Sequence, residues 1–273
     1  MKVLIFGSNG MLGNYMKIFL SNKYEIIPLT RKDYDLSQLD INSLSELLIS
    51  KNLQENDIVI NCAGVIPQSS KNRNLNSRLY FTVNSLFPVI LSQICEKYEA
   101  KMIQITTDCV FSGKDGNYDE NSIHDETTDY GLSKSIGELC KATIIRTSII
   151  GEETHSEELV EWLKDNSGKK INGFINHYWN GITCLQLSKI IEDIITKNNF
   201  WNGVRHIFSP KSVSKYELVS MINDIYKLNI KINKFKTEYS FDKTIKSIYD
   251  NEYIIPDLFE QIKEMKEFNV LNI

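Results

Sequence analysis

The sequence predicts a doubly wound α/β fold, a parallel sheet wrapped by helices on both faces, with a smaller lobe built from the C-terminal part. Two observations carry this reading. A glycine triplet sits between an apolar run and an amphipathic run at the start of the chain. Strand-length apolar runs then alternate with helical runs to about residue 150. At 273 residues the chain is long enough to bury a sizeable core.

The elements follow in order. Lys2 to Phe6 has the continuous apolar character of a buried parallel strand. Leu12, Met16, Phe19 and Leu20 share one face of the helix that comes next. Tyr24 to Leu29 reads as a second strand, Ile41 to Ser50 as a helix and Asp57 to Asn61 as a third strand. Leu79 to Tyr98 reads as a long helix in which Pro88, having no amide, marks an irregularity. Met102 to Thr107 is the fourth strand, Thr128 to Cys140 a helix and Thr143 to Arg146 the fifth strand. Beyond residue 150 the rhythm changes. Glu157 to Lys164, Leu185 to Lys197 and Lys215 to Tyr226 read as helices and Val204 to Phe208 as a strand, before a final stretch rich in Lys and Asn. There is no repeat and no low-complexity linker. The expected organisation is therefore a first domain over residues 1–150 and a second lobe over residues 151–273, interleaved with it.

The segment Gly7-Ser8-Asn9-Gly10-Met11-Leu12-Gly13 turns from strand into helix. Gly7 permits the tight turn, Gly10 lets the backbone approach a pyrophosphate, and Gly13 lets the helix pack close to the sheet. The amides from Asn9 through Met11 and Leu12 are then free to donate to an anion. Two residues separate successive glycines, not the spacing of the commoner Gly-x-Gly-x-x-Gly form. Strand, glycine turn and helix together predict a dinucleotide site.

Strand ends in such a sheet aim their loops at the ligand. The second strand ends in Thr30-Arg31-Lys32, two cations where a carboxylate would bond the adenosine ribose of NAD. They suit the extra phosphate of NADP and predict NADPH as cofactor; the alternative is a solvated surface pair. Asp35 and Leu36 follow, where an acid would meet the adenine amino group. Asn61-Cys62-Ala63-Gly64, after the third strand, leaves room for the cofactor to cross the sheet, or simply packs closely. Asn84 would hold a carbonyl or water beneath the site, or be an ordinary helix-face residue. Thr106 and Thr107 end the fourth strand and point to opposite faces, so only one can donate to a substrate carbonyl.

Tyr130 and Lys134 lie four residues apart, one turn apart on a single helix face. A phenol with a pKa of roughly 10 is a reluctant acid or base at neutral pH, and a nearby ammonium favours the phenolate. The pair predicts proton exchange with a carbonyl or alcohol.

Composition excludes several classes. The 31 basic and 35 acidic residues are near balance without a basic stripe, which argues against nucleic acid as partner. Five cysteines, Cys62, Cys95, Cys109, Cys140 and Cys184, form no Cys-x-x-Cys pair and argue against a disulfide framework or a metal centre. No leader-like segment precedes Lys2, and no apolar stretch reaches the ~18 residues of a membrane helix, so a cytoplasmic protein without a membrane partner is expected. A homodimer is left open.

These segments give the chain its resemblance. Gly7 to Gly13, Asn61 to Gly64, Thr107 to Phe111, Tyr130 to Lys134 with Gly137-Glu138, and Arg146-Thr147-Ser148 together resemble the extended short-chain dehydrogenase/reductases, which carry a Rossmann sheet. More narrowly the chain is similar to the dTDP-4-dehydrorhamnose reductase family and to the bifunctional nucleotide-rhamnose synthases. The resemblance implies NADPH-dependent reduction at C4 of a nucleotide-linked 4-keto-6-deoxyhexose, the expected small-molecule partner. It further implies that Tyr130 protonates the developing alkoxide, that Lys134 holds the nicotinamide ribose and lowers the phenol pKa, and that Thr107 orients the ketone.

One departure matters. Simple reductases of this family place tyrosine two residues after the strand-four threonine, and 4,6-dehydratases place glutamate there; this chain has Cys109. Bifunctional epimerase/reductases resemble it, and in them the cysteine exchanges a proton on the carbon beside the ketone. That reading makes Cys109 a base and asks His155 to serve as the second acid, with Asp108 beside the substrate. The alternative for Cys109 is a small buried residue. Asn176 and Trp179, in an amide and aromatic cluster, would bond to and stack on the substrate, or belong to a packed loop. His124 and His206 have no partner at useful spacing. Two other readings remain beside the reductase: a lyase or isomerase of the same fold, and a non-catalytic protein like the regulatory subunit of methionine adenosyltransferase, which this family resembles.

Overall fold

The computed structural model describes residues 1–67, 76–154, 158–250 and 253–271. β1 (Lys2–Phe6), α1 (Met11–Leu20), β2 (Glu25–Leu29), α2 (Ile41–Ser50) and β3 (Ile58–Asn61) lead into a helical run in three parts. These are α3 (Ser77–Phe81), a π-helical turn (Thr82–Leu86) and α4 (Phe87–Lys97). β4 (Lys101–Thr107), α5 (Asp129–Gly137) and β5 (Thr143–Thr147) follow. The rest of the chain adds β6 (Ile149–Ile150), α6 (Leu159–Asp165), β7 (Lys170–Phe174), β8 (His177–Trp179), β9 (Ile182–Thr183) and α7 (Cys184–Thr196). It ends with β10 (Gly203–His206), β11 (Val213–Ser214), α8 (Lys215–Tyr226), β12 (Lys231–Phe235), β13 (Phe241–Asp242) and α9 (Leu258–Phe268).

Six strands form one parallel sheet in the order β10-β5-β4-β3-β1-β2. Alternate residues feed opposite layers, as the period of two requires. Val3, Ile5, Ile58, Ile60, Ile103 and Ile105 join the core formed with Leu12 and Met16 of α1 and Leu187 and Ile191 of α7. Leu4, Phe6, Val59 and Met102 join Leu44 and Leu48 of α2 and Phe87 and Leu91 of α4 on the other face. The chain winds outward from β1 to β2 and then reverses through β3 toward β10. The switch point between β1 and β3 opens the crevice where such sheets bind ligands.

The second part of the chain is interwoven with the first. α7 covers one face of the main sheet, and β10 pairs with β5 at its edge. From segments before α7 and after β10, β11-β8-β13 and the parallel pair β12-β7 build a small lobe near the C-terminal end of β4. α8 starts this lobe's main helix with a capping box, Ser214 receiving the Glu217 amide while the Glu217 carboxylate receives the Ser214 amide. Among the described residues no helix is long and apolar enough to cross a membrane.

The irregularity expected at Pro88 falls one turn earlier, in the π-helical turn Thr82–Leu86. Pro88 has no amide to give the Asn84 carbonyl, so that carbonyl leaves the ladder. It packs against Gly137, where any Cβ would overlap it. Gly137 is also where α5 ends, three residues short of the expected Cys140.

Candidate active site

The glycine turn is built as the sequence requires. Gly7 has φ +74°, and its amide donates to the Leu29 carbonyl at 3.0 Å, joining the turn to the end of β2. A Cβ on Gly7 would come within 2.8 Å of the Ala63 backbone, and one on Gly13 would overlap the Gly7 carbonyl. Asn9 and Gly10 are exposed, Met11 is half-buried and Leu12 is buried in the core. α1 follows its N-cap Gly10, whose own amide donates to the Gly7 carbonyl at 2.9 Å, with no side-chain cap and no acid in its first turn. By contrast α2, α5, α7, α8 and α9 are capped by Asp40, Thr128, Thr183, Ser214 and Asp257. The first amides of α1 are therefore left for an external anion.

Arg31 and Lys32 stand exposed beyond β2. Asp35 accepts from the Ser37 amide at 3.0 Å and lies 3.4 Å from Arg31 Nε, so its carboxylate is engaged locally. Leu36 packs near Val65, Tyr80 and Val83. Asn61 holds the turn after β3 by accepting from the Ala63 amide at 3.0 Å and donating to Gln104 at 2.8 Å.

α5 carries Tyr130 and Lys134. Thr128 caps it by accepting from the Gly131 amide, and Tyr130 and Lys134 project from its first turns. Tyr80 on α3 packs edge-on against the Tyr130 ring at 6.3 Å, while Ser77 donates to Asp129. Thr107, at the end of β4, donates to Asp108 at 3.1 Å, accepts from the Cys109 amide at 3.1 Å and reaches the Tyr130 phenol. Thr106 points to the opposite face and donates to Glu138 at 2.9 Å. Thr107, Tyr130, Lys134, Cys109 and Gly64 thus meet at the C-terminal edge of β3 and β4, beside the glycine turn.

Electrostatics revises two expectations, for Tyr130 and Cys109, and adds a third shift at Lys134. Burial pushes the Tyr130 phenol well above its ordinary value of 10.0, Cys109 adds to this, and the Thr107 hydrogen bond opposes it. The phenol is therefore held as an acid, not lowered by the lysine as expected. Burial also pulls Lys134 down to about 8, against the pull of Glu138, Cys109 and Cys62. Burial pushes the Cys109 thiol up to about 12, with Asp108 adding to it, which is contrary to the thiolate that a base requires.

Further side chains are placed differently from the sequence reading. Asn84 is buried and donates to the Val65 carbonyl at 2.9 Å and to Ser133 at 3.1 Å, while accepting from the Val65 amide at 2.9 Å. It therefore holds a carbonyl, one of the two expected partners, and with both amide protons engaged it clamps the Gly64–Val65 segment and has none left for a water. Asn176 donates to the carbonyls of Thr237 and Tyr239 and accepts from the Thr237 amide and hydroxyl, which occupies its whole side chain. Trp179 is 3 % exposed, in the core, with its indole donating to Ser148 at 2.7 Å. Both polar groups are thus engaged within the protein, which is the packed-loop alternative, and Trp179 lies in the main core. His155 lies outside the described residues.

Sequence reasoning missed two cations near Asp108. Lys215, the first residue of α8, stands 5.2 Å over the Trp179 ring, and Lys243 lies 3.6 Å from Glu126. Both oppose the burial that raises the Asp108 carboxyl. Long-range convergence of three distant segments leaves no local signal. His124 and His206 likewise do have a partner: both bond Arg146, at 2.7 Å each.

Comparison with known proteins bears on the family and the fold. The family model described as RmlD substrate binding domain matches residues 1–244. The Haloferax volcanii protein named Probable low-salt glycan biosynthesis reductase Agl14 is 28% identical over 145 residues, 50% of this chain and 48% of that protein. A dTDP-4-dehydrorhamnose reductase of Mycobacterium tuberculosis is 26% identical over 159 residues, 54% of this chain and 49% of that protein. The chain thus spans about half the length of the curated relatives it matches. Among solved structures, the dTDP-4-dehydrorhamnose reductase of Bacillus anthracis in complex with NADP superposes with a TM-score of 0.82 at 22% identity, covering 98% of this chain and 99% of that one. That of Clostridium acetobutylicum gives a TM-score of 0.80 at 21% identity over 100% of both chains. At these identities the structural likeness establishes the shared fold.

Proposed function

Because the chain belongs to the RmlD substrate binding domain family, we propose that it catalyses NADPH-dependent reduction of the C4 ketone of a nucleotide-linked 4-keto-6-deoxyhexose. The observation that carries this reading is the convergence of Tyr130, Lys134 and Thr107 beside an uncapped glycine turn. The curated relatives named as reductases and the neighbour in complex with NADP support it.

The residues present fit a phosphorylated dinucleotide. Gly7 and Gly13 occupy positions that any Cβ would close, and the first amides of α1 suit a pyrophosphate. Arg31 and Lys32 would receive a ribose phosphate, and Lys134 the hydroxyls of the nicotinamide ribose. The bound cofactor supplies a hydride. Every other task falls to the chain. Thr107 turns its one hydroxyl proton from Asp108 to the ketone oxygen and so sets its direction. Tyr130, neutral because it is buried, gives its proton to that oxygen as negative charge develops. Lys134 keeps a positive charge close to the same oxygen.

A coupled epimerisation beside the ketone would need Cys109 as base. The thiol raised to about 12 favours the reductase alone. An intact Tyr130, Lys134 and Thr107 favours an enzyme over a non-catalytic binding protein. The test is incubation with NADPH and a panel of enzymatically made dTDP-, UDP- and GDP-linked 4-keto-6-deoxy sugars, with products identified by NMR. Conversion of a 4-keto sugar to its 4-hydroxy product is the expected result; no turnover of any panel member would refute the reading.

A further inference from the structure

Arg146 is a charged residue near the C-terminal end of β5, 1 % exposed and the largest fully buried side chain among the described residues. A guanidinium there must be paired, because an isolated buried charge is strongly unfavourable. Its Nε donates to Glu138 Oε1 at 3.0 Å, and its Nη2 donates to Glu138 Oε2. Nη1 donates to His206 Nε2 and Nη2 to His124 Nε2, both at 2.7 Å. The Phe111 ring lies 5.1 Å from the guanidinium carbon and closes one face.

Arginine has no acceptor and does not lose its proton. Each imidazole must therefore present a bare Nε2 and carry its proton on Nδ1. Both Nδ1 atoms find acceptors. His124 Nδ1 donates to the Ser135 hydroxyl at 2.6 Å, and His206 Nδ1 donates to the Lys246 carbonyl at 2.6 Å. The tautomers follow from the chemistry of the neighbour.

The cluster joins the separate parts of the site. Glu138 follows Lys134 by one turn on the helix that carries Tyr130, and Ser135 is the residue after Lys134. Thr106, which also donates to Glu138, directly precedes Thr107. On the far side His206 fixes Lys246, and Glu120 accepts from the amides of His206 and Ile248 and from the Ser247 hydroxyl. We infer that Arg146 is a positioning residue for the reduction. Through Glu138 and two neutral histidines it fixes the Tyr130–Lys134 helix against the end of β4 and against the small lobe. The inference rests on the reductase reading proposed above.

The arrangement has a pH dependence with a definite sign. His124 faces Glu138, Arg146 and Asp125, and His206 faces Arg146, Glu120, Glu138 and the Lys246 carbonyl. Burial first, and Arg146 as well, hold both imidazoles below their ordinary value of 6.5, against the opposing carboxylates. Protonation of either ring removes an acceptor and puts a second cation beside Arg146. The positioning is intact above pH 6.5 and is lost as pH falls through the lowered values.

Two measurements test this. The first is 15N NMR of the imidazoles in the whole protein, which needs no substrate. His124 and His206 should both show a protonated Nδ1 and a bare Nε2 at pH 7; a cationic ring or the opposite tautomer at either residue overturns the network. The second is the pH profile of kcat for the wild type and for the His124→Gln/His206→Gln variant, in which each Gln keeps a neutral acceptor that does not titrate. The wild type should lose kcat on the acid side, and the double variant should keep it there. Arg146→Lys, which retains charge but not the fork, should lower kcat ~10²-fold with little change in the KM for NADPH, the scale of a small misplacement at a reacting centre. Identical acid limbs in wild type and double variant, in an enzyme that does reduce a 4-keto sugar, overturn the positioning role and leave the reductase reading standing. Correct tautomers in a protein that reduces no panel member instead overturn the reductase reading.

Discussion

Lys134 and Gly64 are in direct register across the site: a Cβ placed on Gly64 would come within 2.8 Å of the Lys134 ammonium. The neighbour that must give way is the far end of a flexible side chain, so the backbone need not move. Gly64→Ala should therefore fold, with a melting temperature close to that of the wild type. It should lose ~10-fold or more in kcat, because the ammonium is displaced from the reacting oxygen. Kinetics beside a thermal melt check this, and unchanged kcat in the Gly64→Ala enzyme would separate Gly64 from the placement of the lysine.

The proposed preference for NADPH rests on two exposed cations, Arg31 and Lys32. Arg31→Ala should raise the KM for NADPH and leave that for NADH nearly unchanged, since only the former carries the extra phosphate. Arg31 lies 3.4 Å from Asp35, so Asp35→Ala should strengthen NADPH binding modestly by freeing the guanidinium. Equal use of both cofactors by the wild type would show that Arg31 and Lys32 face solvent only.

Holding Lys134 in the site costs stability. Its folded value of about 8 lies below its ordinary 10.5, so the unfolded chain binds more protons between these values and stability rises with pH across that window. The penalty is fully present below pH 8 and relieved toward 10.5. Lys134→Met should melt higher than the wild type at pH 7, with the gain shrinking toward pH 10, and should have lost activity. A variant less stable than the wild type at pH 7 would mean that the ammonium's contacts outweigh its burial.

The reductase-alone reading predicts where deuterium goes. A thiol raised to about 12 is almost wholly protonated at neutral pH and is a poor base. Turnover in deuterated water should leave no deuterium on the ring carbons beside C4. Label at such a carbon, lost in Cys109→Ser, would establish the epimerase instead.

Much of this site was legible in the sequence because its logic is local. The glycine turn is dictated within seven residues, and Tyr130 and Lys134 share a helix face by spacing alone. The helices Ile41–Ser50 and Lys215–Tyr226 start where expected because Asp40 and Ser214 cap them. What failed was long-range. The cluster around Trp179 has the residue types of a sugar site, yet Asn176 bonds Thr237 and Tyr239, far along the chain. Pro88 announced a defect but not its use, the Asn84 carbonyl set against Gly137. Arg146 in an apolar strand was itself a signal, since a buried charge demands partners. No spacing rule could have chosen Glu138, His124 and His206.

The central claim is that Tyr130 protonates the C4 oxygen as a hydride arrives. The direct measurement is single-turnover reduction of a 4-keto-6-deoxy nucleotide sugar with 4-deuterated NADPH, comparing the wild type with Tyr130→Phe. The wild type should place one deuterium at C4, and the variant, folded and still binding NADPH, should be slower by ~10²–10⁴-fold, the range for loss of a general acid. Transfer of deuterium to C4 by Tyr130→Phe at the wild-type rate would contradict the account.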